Sequence, residues 1–384
     1  MVSSDHPNNA GISRRNILMS AAGLVALAGC GSTIGGSGNR PPAPSARSTG
    51  AAHRPTASGK LVLYNYAQYV NPKTYKAFAA EYPHVDVVKA YYASEEEVSA
   101  KLRAGGTSQY DNIVVAGTTA AQLYAEGLLR PIDKSLLPNL ANVDPALIHQ
   151  KYDPNATFSV PKNYGITGFG YDSGAVHDPP HTWAEFYDKL KEYAPATSLL
   201  EGATAVVGSA LQAVGSNLGE SDDKVIAEAL ALLKAKKKYI GHVSTANFYT
   251  LFGKGGPVVL GQAWNGDVLR VRADRPSMEF VIPSGQADAW TGVWAIPAHA
   301  PNPEASHAWI NTLLEPANAA NEMKWSLFPV SVPQAAKKLQ ATDKEFRVPW
   351  ITASTKDLAR MATPLLSPEV LRKYNDAYTQ FQAS

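Results

Sequence analysis

The chain has 384 residues, of which 45% are hydrophobic and 18% are charged, and this composition excludes a protein that is intrinsically disordered throughout. Its single cysteine excludes an intramolecular disulfide framework and any metal site built from several cysteines. Residues 1–59 contain five arginines and one aspartate, so residues 60–384 carry a net charge of −2 and lack the basic surface that a nucleic-acid partner requires.

The first thirty residues have the pattern of an export signal. Arg14 and Arg15 precede a short apolar stretch, Ile17 to Gly29, which is much shorter than the ~20 residues of a spanning helix. The stretch ends in Leu-Ala-Gly directly before Cys30. This pattern resembles a twin-arginine signal joined to the lipobox of bacterial lipoproteins, and the resemblance implies that the Cys30 thiol is acylated. We therefore expect a signal peptide over residues 1–29 and a lipid-anchored protein outside the cytoplasm.

The segment that follows has almost no apolar residues. Glycine, serine, proline and alanine dominate residues 31–59. Such a composition cannot form a core and is typical of a flexible linker. We predict a tether over residues 30–59, which would join the lipid on Cys30 to a globular body.

The first half of the body alternates strands and helices. The predicted strands are 61–64, 84–88 and 112–115, and the predicted helices begin at Pro72, Ser94 and Thr118. This order predicts an α/β fold with a mostly parallel sheet and helices on both faces. Because ligands of such sheets bind beyond the carboxyl ends of strands, four residues that fall just after strands are candidate ligand contacts: Tyr66, Tyr69, Thr118 and Thr119.

The second half of the body continues the alternation. Helices are predicted to begin at Thr182, Asp222 and Ser367, the last with a cap residue followed by a proline. Strands are predicted at 257–260, 280–282 and 293–296.

Common catalytic and metal-binding motifs are missing from the sequence. It contains no G-x-S-x-G, no P-loop and no H-E-x-x-H pattern. His177 and His181 are four residues apart, but the prolines between them exclude a helix that would place both on one face. We expect no enzymatic activity, no cofactor and no bound metal.

Residues 64–69, with the sequence Tyr-Asn-Tyr-Ala-Gln-Tyr, carry a family resemblance. They resemble the first-strand motif of the spermidine/putrescine-binding proteins of bacterial ABC importers. Further matches follow in the same order as in that family: 109–115, 126–135, 160–161, 182–184, 264–266, 295–297 and 309–314. Together they extend to about residue 340, and the last 40 residues align poorly.

The resemblance implies a type II-like periplasmic-binding-protein fold, in which two discontinuous α/β lobes are joined by a hinge and enclose a ligand cleft. Lobe 1 would contain residues 60–165 and about 293–340. Lobe 2 would contain residues 166–292 and about 341–384. The chain would cross between the lobes at Gly165–Gly170 and return at Ala289–Gly292, where glycines suit the backbone changes of a hinge.

The family binds polyamines with an aromatic box and carboxylates, and the box is retained here. The matching positions are Tyr66, Tyr69, Trp264, Trp290 and Phe328. Aromatic faces attract ammonium groups and cover the methylene chain between them.

The acids of the family are mostly absent. Asp267 matches one of them, but Gly202, Ala205 and Gly292 occupy the other acidic positions. Glu201, which is adjacent, is a candidate substitute. The ligand is therefore a polyamine held differently, a monoamine, or an amine-bearing sugar or amino-acid derivative.

These patterns predict a binding lipoprotein of an ABC importer that acts as a monomer. It would capture a small cationic or amine-bearing solute by lobe closure and deliver it to a membrane permease. Two alternatives are a secreted α/β enzyme and a lipoprotein that senses a different small solute.

Overall fold

The protein is described from a computed structural model over residues 53–384, except 286, 355, 356, 359, 360, 363 and 364. The predicted signal peptide, the predicted lipidation site Cys30 and residues 31–52 of the predicted tether lie outside this range. Within the described range, no helix combines the length and the apolar character needed to cross a bilayer.

The folded body begins earlier than the sequence predicts. The His53 N–H donates to a backbone carbonyl of the body at 2.8 Å. The Arg54 guanidinium contacts the carboxylates of Glu81 at 2.5 Å and Glu315 at 2.8 Å. Residues 53–58, which composition assigns to the tether, are therefore attached to the body, because backbone hydrogen bonds and ion pairs fix a segment that has few apolar residues.

Strands and helices alternate from residue 59 to residue 125, and a short helix then precedes the long strand that ends at residue 172. The elements of this half are β1 (Gly59–Tyr66), α1 (Pro72–Glu81), β2 (Val85–Tyr92), α2 (Glu95–Arg103), β3 (Asn112–Ala116), α3 (Gly117–Ala125), α4 (Pro145–Ile148) and β4 (Val160–Asp172).

The second half has more helices than strands. Its elements as far as the last long strand are α5 (Trp183–Tyr193), β5 (Thr197–Leu199), α6 (Ala203–Ala213), α7 (Asp223–Lys236), β6 (His242–Val243), α8 (Phe248–Phe252), β7 (Leu260–Trp264), α9 (Asn265–Val271), β8 (Met278–Val281) and β9 (Ala287–Ala295). The chain then forms α10 (Pro303–Leu313), α11 (Pro316–Ser326), α12 (Pro333–Thr342), β10 (Met361–Ala362) and α13 (Pro368–Ala383).

The strands form a mixed sheet in the order β2-β1-β3-β9-β4-β7-β5-β6, with β8 beside β4 and β10 beside β9. Strand β1 is parallel to β2 and β3, and β5 is parallel to β6 and β7. At the centre, β9 is antiparallel to β3 and β4, and β4 is antiparallel to β7 and β8. The predicted parallel arrangement therefore holds for the outer strands and is wrong for the centre, where β4 and β9 run back against their neighbours.

Strand β4 exchanges partners along its length. Residues 160–166 pair with β9, whereas residues 167–172 pair with β7 and β8. The two predicted crossing segments lie in these central strands, where Gly165 pairs with Trp290. The carboxyl ends of β1, β3 and β7 consequently lie around the point where β4 leaves one partner for the next.

Buried apolar side chains form three clusters on this sheet. One joins β1 and β3 to α2 and α3, and another joins α5, α6 and α7 to the final helix α13. The largest covers the other face of the first strands with α1, α10 and α11, and continues under α8 and α9. Helix α13 packs on α6 and α7, which places the chain end, where the family resemblance is weak, on the second cluster.

Candidate functional site

A cavity of about 400 Å³ lies at the carboxyl ends of β1, β3 and β7. Six of the predicted site residues line it: Tyr66, Tyr69, Trp264, Asp267, Trp290 and Phe328. The remaining lining residues are Glu95, Val114, Val115, Ala116 and Gly292. The aromatic and acidic lining residues come from β1, the loop after it and α2 in the first half, and from β7, α9, β9 and the loop after α11 in the second half.

Three predicted site residues do not line this cavity. Thr118 and Thr119 lie in the first turn of α3, and the Thr119 hydroxyl donates to the Glu95 carboxylate. Glu201 is exposed, and its backbone N–H donates to the Thr245 hydroxyl at 2.9 Å. The structure therefore gives no support to Glu201 as a substitute for the missing acids, because its loop leaves the side chain in solvent.

The two tyrosines form one aromatic wall. The Tyr66 and Tyr69 rings are 5.5 Å apart at 64° to each other, and the Tyr69 hydroxyl donates to Asn163 Oδ1 at 3.0 Å. Burial raises the pKa of both phenols above the ordinary value, so both hydroxyls stay protonated and neutral at physiological pH. A neutral phenol ring keeps the electron-rich face that attracts a cation.

A buried ion pair supports Tyr69 from behind. Lys162 Nζ lies 4.1 Å from the centre of the Tyr69 ring and 3.6 Å from Glu322 Oε2, and both charged side chains are buried. Burial lowers the pKa of Lys162 and raises that of Glu322, and the attraction between the two charges opposes each shift. Glu322 Oε1 also accepts from the Asn71 N–H at 2.9 Å, so the pair anchors the loop that carries Tyr69.

Trp290 and Phe328 form a second aromatic wall. Their ring centres are 5.1 Å apart at 62°, an edge-to-face arrangement. A Cβ at Gly165 would lie 2.3 Å from the Trp290 indole, so the absence of a side chain at position 165 allows the ring to lie flat on β4. Trp264, the last residue of β7, pairs with Thr167 in β4 and completes the aromatic lining.

Asp267 is a buried carboxylate at the cavity. It lies in the first turn of α9, directly after the strand that ends in Trp264. The Tyr249 hydroxyl donates to Asp267 Oδ1 at 2.6 Å. Burial raises the pKa of Asp267, although the Tyr249 hydrogen bond and the charge of Arg270 oppose the shift. A buried carboxylate with one hydroxyl donor retains capacity for a cationic ligand.

The glycine at position 292 leaves no room for a family-type acid. A Cβ built at Gly292 would meet Asn163 Oδ1 at 2.6 Å and the Tyr69 hydroxyl at 3.2 Å. The hydrogen bond between Tyr69 and Asn163 therefore fills the space that a side chain at 292 would need. The other two absent acids, at Gly202 and Ala205, fall in the first turn of α6 and its N-cap, and neither residue lines the cavity.

Glu95 is the acidic lining residue that the sequence did not identify. The sequence marks residues 94–97 only as a helix start, and Ser94 does accept from the Glu97 N–H at 3.3 Å. The Glu97 carboxylate accepts a hydrogen bond from the Ala93 N–H at 2.8 Å. Three consecutive glutamates look alike in the sequence, and only the packing of α2 against the end of β3 distinguishes Glu95.

Asp288 lies near this site but outside the lining. The Thr167 hydroxyl donates to Asp288 Oδ2 at 3.0 Å, and burial raises the pKa of Asp288 to about 6. Among the residues that the structure describes, no group of three histidine, cysteine or acidic side chains could hold a metal ion.

Comparison with known proteins gives one consistent result. The sequence profile described as bacterial extracellular solute-binding protein matches residues 73–347. The spermidine/putrescine-binding periplasmic protein of Salmonella typhimurium is 31% identical over 290 residues, which cover 75% of this chain and 82% of that protein. A putrescine-binding periplasmic protein of Escherichia coli is 29% identical over 277 residues, 67% of this chain and 73% of that protein.

Solved structures agree on the fold. The spermidine/putrescine ABC transporter substrate-binding protein of Streptococcus pneumoniae has a TM-score of 0.77 at 23% identity, covering 85% of this chain and 99% of its own. The Tp0655 lipoprotein of Treponema pallidum has a TM-score of 0.71 at 27% identity, covering 84% of this chain and 99% of its own. The predicted α/β class and two-lobe binding-protein fold are confirmed. The relatives are transport proteins that bind substrates, which supports a role other than catalysis.

Proposed function

The chain belongs to the family of bacterial extracellular solute-binding proteins, and from this premise we propose that it captures a small amine of the polyamine class and delivers it to an ABC permease. The protein acts as a monomer in this proposal. Its relatives in Salmonella typhimurium and Escherichia coli are described as binding spermidine or putrescine.

One observation carries the choice of ligand class. Tyr66 and Tyr69 of the first aromatic wall, Trp290 and Phe328 of the second, and Trp264 line the same cavity as Asp267. Rings of this kind cover methylene groups and attract ammonium groups through their faces. A carboxylate accepts charge-assisted hydrogen bonds from the ammonium protons. An aliphatic amine satisfies both kinds of contact.

The proposal includes closure of two lobes about β4 and β9. Lobe 1 contains residues 60–165 and about 293–340, and lobe 2 contains residues 166–292 and about 341–384. The exchange of pairing partners along β4 supports this division, as does the packing of α13 on α6 and α7. Closure on a ligand would reduce the radius of gyration measured by X-ray scattering, and an unchanged radius at saturating ligand would contradict it.

The proposal also includes a lipid anchor on Cys30 after twin-arginine export. The support is the sequence before Cys30, together with the description of the Treponema pallidum relative as a lipoprotein. The variant Cys30→Ala should move from the membrane fraction to the soluble extracytoplasmic fraction, since a thiol is needed for acylation. Continued sedimentation of this variant with membranes would contradict the anchor.

The test of ligand capture is calorimetric titration of the purified protein with putrescine, spermidine, agmatine and amino sugars. Trp264→Ala should weaken the best of these ligands roughly 10- to 100-fold, because it removes a cation–π face and apolar cover. Tyr91→Ala is the matched control, since Tyr91 is an exposed aromatic outside the cavity. Equal affinity of Trp264→Ala and the unchanged protein would contradict the aromatic site.

A further inference from the structure

We propose that Glu95 is a second anionic anchor of this site, and that the ligand is therefore a linear diamine or longer polyamine whose two ammonium groups reach Glu95 and Asp267. The inference rests on the proposed function and assigns a binding role to a residue that the family resemblance does not assign. Its observation is that Glu95 lines the same cavity as Asp267 and the aromatic walls.

The Glu95 carboxylate is held in place from one side. Its Oε1 atom accepts from the Ala116 N–H at 2.7 Å, and its Oε2 atom accepts from the Thr119 hydroxyl. A carboxylate has about four lone-pair positions, and these two bonds use two of them. The remaining positions are free for ligand protons, and a fixed carboxylate loses little side-chain entropy when an ammonium group arrives.

The two glutamates that follow Glu95 in the sequence lie outside the cavity. Glu96 and Glu97 are exposed and do not line the cavity. The Glu97 carboxylate accepts from the Ala93 N–H and, at 3.4 Å, from the Tyr64 hydroxyl. The inference therefore concerns the one glutamate of this run that lines the cavity, and the acidic run at the start of α2 does not carry it.

The charge of the cavity selects the ligand class. Among the described residues that line it, Glu95 and Asp267 are acidic and none is basic. Lys162 lies behind Tyr69 and is paired with Glu322, and the exposed Arg270 donates to the Ser326 carbonyl at 3.2 Å. Two carboxylates beside aromatic walls are costly to desolvate without counter-charge, and a dication supplies that charge. A monoamine neutralises only one of them.

The two carboxylates belong to different parts of the sheet. Glu95 starts α2 and is bonded to the end of β3, whereas Asp267 lies in α9 after β7. A dication that contacts both carboxylates would therefore join the part of the sheet that contains β3 and β9 to the part that contains β7. The lost family acids at Gly202, Ala205 and Gly292 are thus replaced by one acid from the opposite part of the fold.

The test compares a diamine with a monoamine on the same protein. Putrescine and 1-aminobutane differ by one ammonium group at the same chain length. Glu95→Gln should lower the affinity for putrescine roughly 10- to 100-fold and leave that for 1-aminobutane within about twofold. The glutamine amide can accept from the Ala116 N–H and donate to Thr119, so the local hydrogen bonds survive. Glu96→Gln is the matched control and should change neither affinity.

The outcomes separate this inference from the proposed function. If the unchanged protein binds putrescine and Glu95→Gln binds it equally well, the inference is overturned while amine capture stands. If the unchanged protein binds no amine, both are overturned. If Glu95→Gln fails to fold, Glu95→Asp takes its place: it keeps the charge but withdraws it by one methylene, and should weaken putrescine several-fold. Undiminished putrescine binding by that variant would also overturn the inference.

Discussion

The two carboxylates that line the cavity, Glu95 and Asp267, differ in the hydrogen bonds that they accept from the protein. Glu95 receives two protein donors, a backbone N–H and the Thr119 hydroxyl, and stands beside tyrosines. Asp267 receives one hydroxyl, from Tyr249, and burial raises its pKa. The first carboxylate is stabilised by the protein before a ligand arrives, whereas the second depends more on the charge of the ligand. A binding site can therefore combine a fixed anchor with one whose charge responds to occupancy.

The largest expected effect follows from removing both anchors. The double variant Glu95→Gln with Asp267→Asn should lower the affinity for putrescine on the order of 10³-fold. Each carboxylate makes a charge-assisted hydrogen bond whose loss should lower the affinity roughly 10- to 100-fold. Calorimetry of the two single variants and the double variant gives the coupling between them. Near-additive losses are expected if each acid binds its own ammonium group.

A loss in the double variant much smaller than the sum of the two single losses would contradict separate roles for Glu95 and Asp267. It would mean that both carboxylates act on the same ammonium group, and that a monoamine satisfies the site. The matched control is Glu96→Gln combined with Asp267→Asn, which should behave as Asp267→Asn alone.

A smaller effect is expected from pH. Because Asp267 must be ionised to bind an ammonium group, and burial raises its pKa above the ordinary 3.8, affinity should fall as the pH drops through that raised pKa. Each pH unit below it should cost about tenfold in affinity. Asp267→Asn should abolish this phase while weakening binding at every pH. An identical acid phase in the variant would assign the titration to another group.

The smallest effect concerns Asp288, an acid outside the lining. Its folded-state pKa of about 6 lies above the ordinary 3.8, so its contribution to stability is present below the unfolded value and lost as the pH rises through about 6. Asp288→Asn should therefore stabilise the protein above pH 6. The two-unit shift limits the gain to about 3 kcal/mol. Because Asp288 is only partly buried, the gain should be smaller than this limit.

Urea unfolding of Asp288→Asn at pH 4 and pH 7.5 checks this expectation. The gain in unfolding free energy should be visible only at the higher pH. An equal gain at both values would indicate that packing, and not charge, sets the cost of Asp288. Putrescine affinity should be unchanged, which distinguishes this acid from Glu95 and Asp267.

Sequence periodicity located most of the elements that carry the cavity. Strand ends placed Tyr66 and Tyr69, because apolar runs followed by turns are local signals. The resemblance added Trp264, Asp267, Trp290 and Phe328, all of which line the cavity. These positions were found from strand ends and from the order of motifs, and both can be read from the amino-acid sequence alone.

The remaining features depend on pairing between distant segments. Thr119 was predicted to contact ligand, yet its hydroxyl is bonded to Glu95. The role of Glu95 depends on the approach of α2 to the end of β3, and the space at Gly292 is set by Tyr69 and Asn163. The antiparallel centre of the sheet likewise depends on where β9 returns. Such contacts join residues far apart in the chain, and no local pattern contains them.

The length of β4 has a mechanical consequence. Its residues 160–166 are hydrogen-bonded to β9 and residues 167–172 to β7 and β8, so one continuous strand is clamped at both ends. Each of these two parts of β4 is roughly 20 Å long at about 3.3 Å per residue. A bend of about 10° between residues 166 and 167 would move the far end of either part by roughly 3.5 Å, about the length of one hydrogen bond. Changes of a few degrees in two or three peptide planes are thus enough to make or break a ligand contact.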